Sequence, residues 1–111
     1  MLPKKNNFIL TTTPSIEGKK IEKVLGLVKG NTVRARWLGG DVGAALKGII
    51  GGEIETYTRL QTQARDEATK RMVEDAKKIG ANAIVEIRYE TNTIMQGAAE
   101  ILVYGTAVKL E

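Results

Sequence analysis

"NAIVEIRYETN", Asn82 to Asn92, alternates from end to end. Ala83, Val85, Ile87, Tyr89 and Thr91 fall on one side of an extended chain, and Asn82, Ile84, Glu86, Arg88, Glu90 and Asn92 on the other. A period of two is the mark of a half-buried β-strand. The segment "NTIMQGA" then turns the chain, with Gly97 at its tip. Ala99 to Leu110 reads as a partner strand that is apolar on both faces, with Ile101, Val103 and Ala107 against Leu102, Tyr104, Val108 and Leu110. Such a strand needs cover on both sides: one cover is the chain's own helix, the other a surface between subunits.

Upstream lies the longest periodic element. Ile54, Tyr57, Leu60, Gln61, Ala64, Ala68, Met72 and Ile79 recur at helical spacing, which predicts a helix over Glu53–Ile79. It would be roughly 40 Å long, and Gly80 stands at its C-cap. A flanking row of Thr58, Thr62, Thr69, Val73 and Ala76 suits a second packing surface. Asp75 falls on the apolar stripe with Arg71 one turn before it, which reads either as a pair at the edge of the core or as a polar contact to another subunit.

Toward the start, Phe8–Thr13 reads as a short strand ended by Pro14, and "PSIEGKK" as a turn. Ile21–Val33 is β-rich, with Ile21, Lys23, Leu25, Leu27 and Lys29 on one face and Val24 and Val28 on the other. Gly26 and Gly30 interrupt it as a bulge or a close backbone approach would. At Gly30-Asn31 the chain either turns or bends and continues to Arg36. Asp41 is placed to cap a short helix over Val42–Ile50, ended by Gly51-Gly52. The elements predict one α+β domain over residues 1–111, with 1–7 as a flexible tail. Its antiparallel sheet packs in two layers against one long helix and one short one.

The 111 residues are 42% apolar, with five aromatic side chains: Phe8, Trp37, Tyr57, Tyr89 and Tyr104. A core so poor in large anchors gains from a partner surface. The chain has no Cys and no His. Disulfides, thiol nucleophiles, imidazole bases, Ser-His triads and the usual zinc and copper sites are excluded with them. The net charge is +4, but acids interleave with bases along the long helix, which argues for solvated surface over a nucleic-acid footprint. No secretory leader or bilayer-spanning run is visible, and a cytoplasmic location is expected.

Six glycines between Gly39 and Gly52 raise the question of a phosphate loop. Gly43 and Gly48 have Walker spacing, but Ile49 and Ile50 occupy the Lys and Ser/Thr positions, and no G-x-G occurs in the run. Close packing is the better reading. Carboxylates are the remaining metal ligands. Glu86/Glu90 and Glu53/Glu55 match no metal spacing, and oxygen donors alone would suit Mg²⁺ or Ca²⁺.

"TTTPSIEGKKI" (11–21), "GGE" (51–53), "GANAIVEIRYET" (80–91) and "GTAVKL" (105–110), in this order, resemble the YbjQ-like family over nearly the whole chain. The resemblance implies a small α+β subunit similar to dodecin subunits, assembled as a homopentamer. The family is largely uncharacterised and bears a heavy-metal-binding label. Candidate ligand-binding residues in or near the resembling segments are Thr12, Thr13, Glu17, Asp41 and Glu90. The expectation is a non-enzymatic homopentameric binding or scaffold protein that holds a small molecule or metal ion between subunits, its cofactor unknown. Alternatives are a metal-binding protein built from intersubunit carboxylates and a basic ring that binds nucleic acid.

Overall fold

The computed structural model describes residues 8–35 and 49–111. Its elements are β1 (Ile9–Leu10), β2 (Ile21–Ala35), a single described helix α1 (Ile49–Lys78), β3 (Ala83–Met95) and β4 (Ala98–Leu110). They form one four-stranded sheet in the order β1-β3-β4-β2 with α1 across one face. β4 is central and antiparallel to both β2 and β3. β1 pairs parallel to β3, Ile9 opposite Ala83 and Leu10 opposite Ile84. The sheet is therefore mixed, where the sequence predicts an antiparallel one. β1 sits on the far edge from β2, and the chain between them crosses the sheet face that α1 leaves bare. Ile16 and Ile21 pack there against Ala83, Val85, Val108 and Leu110 in a small second core.

The main core lies between α1 and the sheet. Ala64, Ala68, Met72 and Ala76 are buried, every fourth residue, against Val28, Ile84, Ile87, Ile101, Val103 and Ala107. This stripe is narrower than the predicted one. Leu60 and Ile79 are 42% and 46% exposed, and Ala76, read as part of a flanking row, belongs to the core. One i+4 ridge of mostly small residues makes the contact, and small residues let the helix settle close to β2. Gly30 is the closest point. A Cβ there would run into the Ala68 carbonyl oxygen and lie 2.6 Å from the Met72 amide nitrogen. The buried Thr32 hydroxyl donates to the Ala64 carbonyl at 3.2 Å. Arg71 donates to the Asn31 carbonyl at 2.7 Å and pairs with Glu67 at 3.3 Å, while Asp75 is exposed.

Gly51 and Gly52 lie within α1 rather than ending a helix, and Ile49 and Ile50 are already part of it. The rest of the predicted Val42–Ile50 helix, Asp41 and the first seven residues lie outside the described residues. Gly80 (φ 88°) terminates α1 as expected: its N–H donates to the Lys77 carbonyl, and Ala81 N–H to Ala76. This is the Schellman pattern.

β1 is Ile9–Leu10 only, shorter than the expected Phe8–Thr13 because the chain from Thr11 leaves the ladder as a loop, whereas the other three strands run longer than predicted. β2 passes through Gly30-Asn31 without turning, and β3 and β4 meet at a two-residue turn, Gln96-Gly97, with Gly97 at φ 83°. A bulge at Gly26 (φ 132°) shifts β2 against β4. Leu25 consequently packs on the α1 side, whereas Leu27 and Lys29 take the other face.

Gly30→Ala should lower stability by about 3 kcal/mol, the top of the overpacking range, because its new methyl meets backbone atoms. Gly18→Ala, with open space around a φ of 81°, should cost only about 1 kcal/mol. Urea melts of the two variants check the order.

Candidate functional site

The alternation of Asn82–Asn92 conceals an interruption. Val85 pairs with Thr106, but the next paired residue of β3 is Arg88, opposite Tyr104. Glu86 and Ile87 together face the single residue Gly105, a β-bulge. Glu86 has φ 54°, the one positive value at a non-glycine position among the described residues. The bulge reverses side-chain parity. Ile84 and Ile87 both enter the core under α1, while Ala83 and Val85 join the second core on the opposite face. Gly105 makes room for it: a Cβ there would lie 2.7 Å from Ile84 Cγ2 and 3.0 Å from Ile87 Cγ1.

The bulge aims backbone groups outward, and the threonine loop after β1 takes them. Glu86 N–H donates to the Thr13 carbonyl and Ile87 N–H to the Thr11 carbonyl, each at 3.1 Å; Thr11 N–H donates to the Ile84 carbonyl at 3.1 Å. Within the loop, Thr13 N–H donates to Thr11 Oγ1 at 3.1 Å, and Thr13 Oγ1 donates to the Ser15 carbonyl at 2.6 Å. That leaves the Thr11 hydroxyl to donate across the 2.7 Å contact to Thr13 Oγ1. Arg88 closes the cluster from β3. Its Nη1 donates to the Thr12 carbonyl at 3.2 Å and the Ile87 carbonyl at 3.0 Å, and Nη2 stands 3.9 Å from Glu86 Oε1. The Glu86 and Arg88 side chains are about half exposed.

Two of the expected site residues, Thr12 and Thr13, thus belong to an ordered polar patch. Glu17 and Glu90 are exposed elsewhere on the turn and on β3, with no hydrogen bond tying them to it among those of the described residues. Asp41 lies outside the described residues. Glu86, Arg88 and Gly105 are what sequence reading misses. Its one signal was Ile84, an apolar residue on the otherwise polar side of the alternation.

The patch offers a guanidinium, a carboxylate and threonine hydroxyls to solvent, donors and acceptors suited to a small polar ligand. Its hydroxyls bond to one another and to a carbonyl, not to a base that would make one a nucleophile. Among the described residues no three Asp or Glu side chains converge to hold a metal ion. No helix among them is long and apolar enough to cross a membrane.

A two-layer α+β domain with this segment order points to a family, and comparison with known proteins identifies it. The chain belongs to the YbjQ-like family, described as "Putative heavy-metal-binding", whose profile matches residues 8–111. Similar proteins are uncharacterised UPF0145 proteins. That of Dehalococcoides mccartyi strain BAV1 is 54% identical, covering 94% of this chain and all of its own. The Clostridioides difficile protein is 53% identical over 94% of this chain and 93% of its own, and that of Thermotoga maritima 52% over 94% and 98%. Among solved structures, a protein of unknown function of the DUF74 family from Pediococcus pentosaceus superposes with a TM-score of 0.63 at 18% identity, covering 94% of this chain and 98% of that one. That likeness supports the fold. Nothing in the comparisons indicates an enzymatic activity.

A residue in the left-handed region is strained unless it is glycine. Glu86→Gly should therefore raise stability by about 1 kcal/mol, and Glu86→Val should lower it by more than that. Thermal melts of both check whether φ 54° carries strain.

Proposed function

We propose that this chain is the subunit of a homopentameric binding or scaffold protein without catalytic activity, holding a small polar ligand where subunits meet. The observation that carries the reading is the part of the sheet face opposite α1 that lies beyond the second core. Leu27 is 67% exposed and Val33 52%. Beside them the central strand presents Leu102 and Tyr104, half-buried and part of neither core. An antiparallel sheet normally turns polar side chains to water on its open face, and an apolar open face marks an interaction surface. Shape argues the same way. The Cα radius of gyration is 17.3 Å, against about 13 Å for a compact domain of this size. A thin, long subunit buries too little by itself. The resemblance to dodecin subunits and the pentamer it implies belong to this same reading.

The family's heavy-metal label does not fit the donors of this chain as a site for a soft ion, since Cys and His are both absent. A metal would have to be a hard cation gathered by carboxylates of several subunits.

Light scattering on the purified protein should give five times the chain mass at micromolar concentration; a stable monomer would refute the proposal. Leu27→Asp should shift the mass toward monomer without changing the far-ultraviolet circular dichroism. Calorimetric titration with Zn²⁺ at neutral pH should show no submicromolar site, and a tight stoichiometric one would overturn the exclusion of soft metals.

A further inference from the structure

Three stretches of chain meet at one end of the fold. Asn82, in the turn between α1 and β3, clamps two of them together: its Oδ1 accepts from the Leu110 N–H at 2.7 Å, its Nδ2 donates to the Leu110 carbonyl at 3.3 Å, and its own N–H donates to the Val108 carbonyl at 3.1 Å. Ile21 pairs with Leu110, and the Glu111 N–H donates to the Lys20 carbonyl at 3.0 Å. The entry to β2, the exit from α1 and the end of β4 therefore form one surface. Six lysines stand on it, all exposed: Lys19, Lys20, Lys23, Lys77, Lys78 and Lys109. The acids there are Glu22 and Glu111, with Glu17, Glu74 and Asp75 adjoining. None of the six lysines lies within ion-pair distance of a carboxylate among the described residues.

Two of them have an ordinary explanation. Lys77 and Lys78 fall in the last turn of α1 and complement the negative end of its dipole. Lys23 and Lys109 have none. They stand directly opposite each other across β2 and β4, a like-charge pair that destabilises a sheet. Lys109 is two residues from Ala107 and shares its side of β4, so both lysines rise on the side where α1 ends. Lys19 and Lys20 extend the charge into the turn before β2. Directly after Lys77-Lys78 comes Ile79, a large apolar side chain left 46% exposed at the helix end.

We propose that this end of the fold docks on an anionic lipid surface, its lysines against the phosphate headgroups and Ile79 entering the headgroup boundary. Lysines held near an anionic leaflet are attracted to it one by one, and an apolar side chain among them adds the contact that charge alone does not supply. A nucleic-acid backbone would attract the same lysines. It would gain nothing from an exposed isoleucine, and the one aromatic ring here, Phe8, is partly buried against the core with Lys77 Nζ 5.8 Å from its centroid, which leaves no open platform for base stacking. This surface is a different one from the polar patch at Glu86 and Arg88, and the inference does not depend on how many copies assemble.

Vesicle sedimentation at low salt tests it. The native protein should sediment with vesicles of equal parts phosphatidylglycerol and phosphatidylcholine, and not with phosphatidylcholine alone. Lys23→Gln combined with Lys109→Gln should weaken binding about tenfold, and Ile79→Asn about threefold. Lys29→Gln combined with Lys70→Gln, away from this end, should leave it unchanged. The Lys23/Lys109 variant relieves a repulsion and should fold at least as stably as the native chain, which circular dichroism checks. No sedimentation, equal sedimentation with both vesicle types, or equal loss in the two double variants would overturn the proposal. So would tighter binding to a duplex oligonucleotide than to the anionic vesicles, unaffected by Ile79→Asn.

Discussion

The approach of α1 to β2 is the contact on which the rest of the fold depends. Gly30 lets the backbones of Ala68 and Met72 come close enough that no side chain fits between. The alanine ridge keeps that distance along the helix, and Thr32 and Arg71 tie helix and strand by hydrogen bonds on either side. Because the helix lies so near β2 and β4, it covers one sheet face only. Among the described residues this leaves open much of the opposite face beyond the second core, the outer sides of β2 and of β3 from Arg88, and the loop docked at the end of β1.

The second organising feature is the bulge at Glu86. A strand with unbroken alternation would send Ile84 and Ile87 to opposite faces. The inserted residue sends both to the core, and the cost is a glutamate at φ 54° and a glycine opposite it. In exchange, two backbone N–H groups turn outward and hold the threonine loop, with Arg88 fixed beside it. Strain and a bulge next to an ordered polar loop are the usual surroundings of a binding site. Here they place the loop beside Arg88, where β3 loses its outer partners among the described residues.

Much of this was legible from residues alone. The two-faced apolar pattern of Ala99–Leu110 marked a strand buried twice, which is the central one; Gly80 marked the helix end, and of the two readings open at Gly26 and Gly30, a bulge or a close backbone approach, the first holds at Gly26 and the second at Gly30. Other features were hidden for physical reasons. Local alternation cannot reveal a bulge, because the residue that forces it, Gly105, is far along the chain. The parallel pairing of β1 depends on a loop crossing the sheet, which no short-range signal records. Which i+4 ridge of a helix faces the sheet is decided by how closely it packs, so Leu60 and Ile79 read as core and Ala76 did not. The candidate site was half legible: Thr12 and Thr13 lie in it, but Glu86 and Arg88 join them only through the bulge.

The central claim is that this subunit is finished by contact with copies of itself. Analytical ultracentrifugation of the native protein over a dilution series tests it most directly. One species several times the chain mass, unchanged by dilution through the micromolar range, is expected; a species of one chain mass would contradict the account.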